Sequence, residues 1–327
     1  MMRRICPRVL TTSLALAVSL LAGRGASLKV DGLKCENRLN PLGLDTPRPR
    51  LSWRLESTGR GQRPTAYQVL AATRPALLSE SKADLWDSGK VPSGESVQVV
   101  YGGKPLLPGQ RVFWKVRAWN REEKPSSYSA ASWWEIGLLA PADWHAAWIT
   151  RPRTEPLTEP RMFADNPAPL FRKEFLIAKR IQRARAYVSG LGYYELRLNG
   201  QRVGDQVLDP GWTAYSKRVL YSTYDVTDQL KQGRNALGVM LGNGWFNPLP
   251  LRLWGHINLR DSLTLGEPRV IVQVTADFTD GTSQTIVTDE SWKFGDGPIL
   301  RNNVYLGEVY DARKEQTGWD QPGFDDS

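Results

Sequence analysis

Tyr193-Tyr194-Glu195-Leu196-Arg197-Leu198-Asn199-Gly200 is the stretch that decides the fold. Tyr194, Leu196 and Leu198 alternate with Glu195 and Arg197, the two-residue period of a half-buried strand. The strand runs directly into Asn199-Gly200, the strongest short signal for a hairpin. The same period recurs at Trp114-Lys115-Val116-Arg117-Ala118, and again where Val270, Val272, Val274, Ala276 and Phe278 share one face. Asp280-Gly281 then turns the chain, and Thr285 to Thr288 read as the returning partner. No amphipathic helical run exceeds about two turns, the best candidate being Ala76 to Leu85. Short strands at regular spacing, punctuated by Gly, Pro, Asn and Asp, predict an all-β protein built from β-sandwiches.

Six prolines, at positions 141, 152, 156, 160, 167 and 169, divide the chain with a stretch that reads as an extended spacer. The expected organisation is therefore a sandwich over 26–140 of fibronectin type III or immunoglobulin-like size, a Pro-rich linker over 141–169, and a second, jelly-roll-like sandwich over 170–327. The last ten residues, Gly318 to Ser327, contain Trp319 and Phe324. Two large aromatics so placed predict packing against a surface, and the segment reads as an edge where a longer protein was cut.

Residues 1–25 have the form of a secretory signal. Arg3, Arg4 and Arg8 precede an apolar stretch from Leu14 to Leu21, and small residues lead to a cleavage point before Ala26. That core is shorter than the roughly 20 residues a membrane span needs, so the expectation is a secreted or periplasmic protein with no membrane attachment after cleavage. Loss of Arg3, Arg4, Arg8 and Arg24 takes the net charge from +9 to +5, which calls for no nucleic-acid partner. Cys6 leaves with the signal, so Cys35 has no disulfide partner.

Among 327 residues there are 13 Trp but only two His and two Cys. That excludes the usual zinc sites and most His-assisted nucleophilic chemistry, since His145 and His256 are the only imidazoles. Chemistry would have to use carboxylates; binding would use aromatic faces, backbone and oxygen ligands. Gly190-Leu191-Gly192-Tyr193-Tyr194-Glu195 begins like a dinucleotide loop but lacks its third glycine, and a strand follows where a helix is required. No G-x-S-x-G elbow is present. The basic cluster Lys179, Arg180, Arg183 and Arg185 reads as a solvated edge strand guarding against aggregation.

The segment Leu241-Gly242-Asn243-Gly244-Trp245-Phe246-Asn247-Pro248 is the most suggestive. It is expected to form a loop after a strand over 236–241, offering amide and carbonyl oxygens of the kind calcium takes, with Asp205 and Asp209 the nearest carboxylates by topology. Trp212 and Trp245 could each offer an apolar face to a sugar ring. The competing reading is that both indoles are core and the asparagines only cap turns.

These landmarks, together with Leu208-Asp209-Pro210-Gly211-Trp212-Thr213, Tyr224-Asp225-Val226-Thr227 and Tyr310-Asp311-Ala312-Arg313, resemble the amino-terminal β-sandwich of bacterial alpha-L-rhamnosidases. Pro47-Arg48-Pro49-Arg50-Leu51-Ser52-Trp53 and Leu85-Trp86-Asp87-Ser88-Gly89-Lys90-Val91 are similar to the fibronectin-like module that precedes it. The resemblance implies an inverting glycosidase that releases terminal L-rhamnose using two carboxyl groups on a downstream (α/α)6 barrel. The family's Asp-Cys-Pro-x-Arg-x-Glu segment has no counterpart in these 327 residues, so no catalytic residue is nominated. The implied partners are rhamnose-containing glycosides or polysaccharides and that barrel. In some members the sandwich is a calcium-dependent rhamnose-binding module. Here that implies Asp205, Asn243 and Pro248 for the ion and Trp212 and Trp245 for the sugar. Three readings stand: the non-catalytic front of a glycosidase, a rhamnose-binding module in its own right, or a purely structural pair of sandwiches.

Overall fold

The computed structural model describes residues 28–152, 158–253 and 255–327; the signal-like segment 1–25 lies outside them. Seven strands build the first sandwich: β1 (Leu28–Cys35), β2 (Arg50–Ser57), β3 (Ala66–Ala72), β4 (Trp86–Asp87), β5 (Val99–Val100), β6 (Arg111–Trp119) and β7 (Ser132–Glu135). They form two antiparallel sheets, β1-β2-β5 and β4-β3-β6-β7. The alternation read at 114–118 is realised in β6, whose Val112, Trp114, Val116 and Ala118 enter a core shared with Leu51, Trp53 and Trp134. Tyr101, Trp114 and Trp134 meet edge to face in that core, the arrangement ring quadrupoles favour. Cys35 is buried there, and desolvation pushes its thiol pKa up, so it is chemically quiet.

The second sandwich comprises β8 (Ile149–Thr150), β9 (Pro169–Ile177), β10 (Ile181–Leu191), β11 (Tyr193–Leu198), β12 (Gln201–Arg202), β13 (Ser222–Asp225) and β14 (Gly233–Gly242). A small hairpin, β15 (Arg252–Leu253) and β16 (Ile257–Asn258), precedes β17 (Arg269–Phe278), β18 (Ser283–Val287) and β19 (Lys293–Asp296). A second hairpin follows, β20 (Ile299–Asn303) and β21 (Gly307–Tyr310). One sheet runs β13-β10-β17-β18 with β8 paired to β17; the other runs β12-β11-β14-β9-β19. Alternate residues of β11 (Tyr194, Leu196, Leu198), β14 (Leu237, Val239, Leu241) and β17 (Val270, Val272, Val274, Ala276) fill the space between them. Asn199 and Gly200 both take positive φ, as a two-residue hairpin turn requires, and return the chain into β12.

Three expectations are corrected. Ala76 to Leu85 is not helical beyond a single 3-10 turn, Pro75–Leu77. Leu78 is drawn into a small cluster with Leu70 and Ala72 on the outer face of β3, while Asp84 accepts hydrogen bonds from the Thr73 N–H and hydroxyl, so side-chain anchoring outweighs helix propensity. The Pro-rich segment is also more than a spacer. His145 N–H donates to Gln273 Oε1, Ala147 exchanges hydrogen bonds with Thr288, and Ile149 and Thr150 pair with β17, so 145–150 is stitched into the second sandwich.

The basic cluster is a solvated edge only at Lys179 and Arg180, which are exposed; Arg183 and Arg185 are not. β10 lies between β13 and β17, and its outward-facing Arg183 and Arg185 reach across to the first sandwich. They converge with Arg111 on the carboxylate of Glu135, which is fully buried. Arg185 Nε lies 2.6 Å from Oε1; Arg111 Nε and Arg183 Nη1 lie 3.0 and 3.2 Å from Oε2. Asp277 and Asp225 complete the balance, at 2.5 Å from Arg183 and 2.7 Å from Arg185. Burial opposes the Arg183 charge, but Glu135 and Asp277 outweigh it and its pKa is raised. Nearby, Leu138 N–H donates to the Tyr221 hydroxyl at 2.8 Å, and that hydroxyl donates to Leu138 O at 3.0 Å. The sandwiches are thus joined by charge and hydrogen bonding rather than by a shared apolar core.

Inside the second sandwich, the Tyr194 and Tyr224 hydroxyls both donate to Asp209 Oδ2 at 2.6 Å and stand 3.0 Å apart. Burial, with Asp209 alongside, raises the pKa of each phenol. Asp209→Ala removes the acceptor that two enclosed hydroxyls share, leaving them chiefly each other, and is expected to destabilise the fold by about 1–3 kcal/mol. Chemical denaturation checks this, and a cost no larger than that of an exposed Asp→Ala change would contradict it.

Candidate functional site

The outer face of the β12-β11-β14-β9-β19 sheet carries the site. Register sets Tyr193, Glu195 and Arg197 of β11 beside Gly242, Met240 and Gly238 of β14. Two later segments cover parts of this face. At one end Trp319 lies over Gly238, where a Cβ would come within 2.7 Å of the indole, and Arg172 donates to the carbonyls of Trp319 and Gln321 while stacking on Phe324. The terminal aromatics therefore pack as expected from their size. At the other end, the β20–β21 hairpin is tied to the loop after β14: Asn243 N–H donates to Asn302 Oδ1 at 2.6 Å, and Asn243 Nδ2 to Asn302 O at 3.1 Å. Asn303 Oδ1 accepts from the N–H groups of Tyr305 and Leu306, shaping the hairpin tip.

Between strands and hairpin lies a cleft of about 650 Å³. Its walls include Tyr193, Glu195, Trp245, Asn302, Asn303 and Glu308. Trp245 is half-buried and stacks on Trp212, with ring centroids 4.6 Å apart and planes 17° from parallel; Tyr305 meets it edge-on at 5.5 Å. Trp212 is 52% exposed, so the reading in which both indoles are core does not hold. Gly244 takes positive φ and sits against Gly192, which lets the backbone turn sharply enough to set Trp245 at the cleft. Glu195 is steadied by Arg197 Nη1 at 2.8 Å, and Asn303 Nδ2 is enclosed without a protein acceptor among the described residues. The arrangement of aromatic faces beside amides and carboxylates suits a neutral, hydroxyl-rich ligand.

The expected calcium ligands meet a different fate. Asn243 Oδ1 faces Asn247 Nδ2 at 3.4 Å. The Asn247 amide oxygen and the Pro248 carbonyl both accept from Arg260 Nη1, the former at 3.1 Å. Asp205 stands exposed on the sheet edge, its N–H donating to Gln206 Oε1. The oxygens nominated around Asn243 and Pro248 are thus already used, two of them by a cation, and this donor set does not fit calcium. Among the described residues no three His, Cys, Asp or Glu side chains gather as metal ligands. Sequence reasoning missed Arg260, Tyr193 and the hairpin residues Asn302, Asn303 and Glu308. Nothing local marks them, because the hairpin joins the cleft through tertiary contact alone.

Residues 30–140 match the family described as Rha78A-like, N-terminal immunoglobulin domain, and residues 179–327 match the Alpha-L-rhamnosidase N-terminal domain. An alpha-L-rhamnosidase of Formosa agariphila is 36% identical over 316 residues, covering 92% of this chain and 33% of that protein. The structure of alpha-L-rhamnosidase from Dictyoglumus thermophilum superposes with a TM-score of 0.81 at 43% identity, covering 91% of this chain and 33% of that one. The Streptomyces avermitilis alpha-L-rhamnosidase complexed with L-rhamnose gives 0.82 at 28% identity, covering 92% and 44%. Tandem immunoglobulin-like and jelly-roll-like sandwiches with these matches correspond to the amino-terminal region of these relatives. The chain carries the amino-terminal domains found in the alpha-L-rhamnosidases, and it spans about a third of the length of the curated relatives it matches.

Proposed function

We propose that the chain forms the non-catalytic front of a secreted alpha-L-rhamnosidase, whose hydrolysis of terminal rhamnosides is carried out by an (α/α)6 barrel, and that the cleft beside Trp245 holds the saccharide. The observation that carries the binding reading is the accessible indole pair flanked by Asn302, Asn303, Glu195 and Glu308. A 6-deoxy sugar has a methyl group and several C–H bonds on one side, suited to an aromatic face. Its hydroxyls on the other side suit amide and carboxylate partners. The rhamnose complex of the Streptomyces avermitilis relative supports this choice of sugar.

The test is calorimetric titration of the chain with L-rhamnose. Saturable heat with a dissociation constant on the order of 1 mM is expected, since a single small sugar offers few contacts. The same preparation is expected to leave an aryl rhamnoside intact. Absence of heat at tens of millimolar sugar would remove the binding reading, and turnover above the blank would remove the non-catalytic one.

A further inference from the structure

Calcium-binding loops place several oxygens, with carboxylate charge among them, around one cation. The loop 243–248 has the oxygens but directs them elsewhere. Asn243 O accepts from Asn247 N–H, and Asn243 Oδ1 faces Asn247 Nδ2. The remaining two, Asn247 Oδ1 and Pro248 O, converge on one guanidinium nitrogen, Arg260 Nη1. Asn247 and Pro248 are buried, so water is a poor substitute partner for either oxygen. Arg260 is itself fixed: Asn258 Oδ1 accepts from its N–H, and Leu259 N–H donates to Leu251 O, which ties the segment after β16 back to the loop. Burial lowers the Arg260 pKa and Glu159 and Glu267 offset this only in part, yet an arginine keeps its charge in a folded protein. The small cavity beside Asn243, Asn247 and Pro248 measures only about 10 Å³, at the lower limit for a single water.

We propose that Arg260 is a built-in cation for this loop: its guanidinium takes the position a divalent ion would otherwise occupy, so the loop beneath Trp245 is organised without metal. A divalent cation entering there would meet a fixed positive charge and would have to displace two charge-assisted hydrogen bonds. The inference goes beyond the saccharide reading and does not depend on it, because all of its readouts are taken without sugar.

The experiment compares the wild-type chain in excess EDTA with the chain in millimolar CaCl2, following thermal unfolding and tryptophan emission. Identical curves are expected in the two buffers. A specific site populated far above its dissociation constant would move the midpoint by several degrees, and such a shift would overturn the proposal. Arg260→Met keeps the aliphatic stem and removes the charge. It is expected to lower the midpoint and to open the segment 248–260 to limited proteolysis, whereas an unchanged midpoint and digestion pattern would overturn the proposal. Arg260→Lys retains a cation on a flexible stem and is expected to recover part of the protection. Should Arg260→Met fail to fold, the wild-type comparison and Arg260→Lys still decide.

Discussion

Glu135→Ala is expected to cost about 3–5 kcal/mol, the range for removing one partner from a buried charge cluster. The carboxylate is fully buried and receives Arg111, Arg183 and Arg185 together. Its removal leaves Arg185, 3% exposed, with Asp225 as its one carboxylate partner among the described residues, beside the Thr227 hydroxyl and a backbone carbonyl. The shortfall is therefore one excess positive charge in the cluster, three guanidinium groups facing two carboxylates, rather than one lost contact. For a chain of this size the midpoint is expected to fall by roughly 10 °C. Because the cluster spans the two sandwiches, calorimetry is expected to show one transition for the wild-type chain and two for Glu135→Ala. Arg183→Met is expected to be milder, since Arg183 is more exposed, although it leaves Asp277 without this ion pair. A cost for Glu135→Ala of no more than about 0.5 kcal/mol, the range of ordinary surface changes, would show that the charge cluster does not hold the sandwiches together.

Trp245→Ala is expected to weaken L-rhamnose binding by roughly 10–30-fold, the effect of exposing about 70 Å² of buried apolar contact. The ring is a wall of the cleft and also the support for Trp212 and Tyr305. Two controls separate contact from support. Trp245→Phe keeps a flat ring and should retain most of the affinity. Trp212→Ala leaves the Trp245 ring in place and exposes the face it stacked on, so its effect should be smaller than that of Trp245→Ala. Unchanged affinity in Trp245→Ala would place the sugar elsewhere.

Wherever local pattern governs, the chain is legible. Tyr194, Leu196 and Leu198 point inward, Asn199-Gly200 turns, and Val270 to Ala276 line one face, because strand period and turn stereochemistry act over a few residues. The all-β architecture follows from the same kind of reading, whereas the stacking of Trp212 on Trp245, more than thirty residues apart, does not. Where the answer depends on distant partners, local reading fails. Arg183 and Arg185 have the charge pattern of a solvated strand, and only the fold brings Glu135, some fifty residues earlier, to meet them. Arg260 and the oxygens of Asn247 and Pro248 are separated by the β15–β16 hairpin. The Asn302–Asn303 side of the cleft is about sixty residues from Asn243. Ala76 to Leu85 errs in the opposite direction: its helical spacing is real, but Leu78 and Asp84 find better partners on β3 and Thr73.

The charged junction at Glu135 has a hydrodynamic consequence. Two sandwiches hinged on a floppy connector would rotate independently in solution, each as a particle of half the mass. Clamped by the Arg183 and Arg185 guanidinium groups reaching Glu135 and by the Tyr221 hydroxyl, they are expected to rotate as a single body. Any glycan gripped beside Trp245 then shares one fixed orientation with the immunoglobulin-like module.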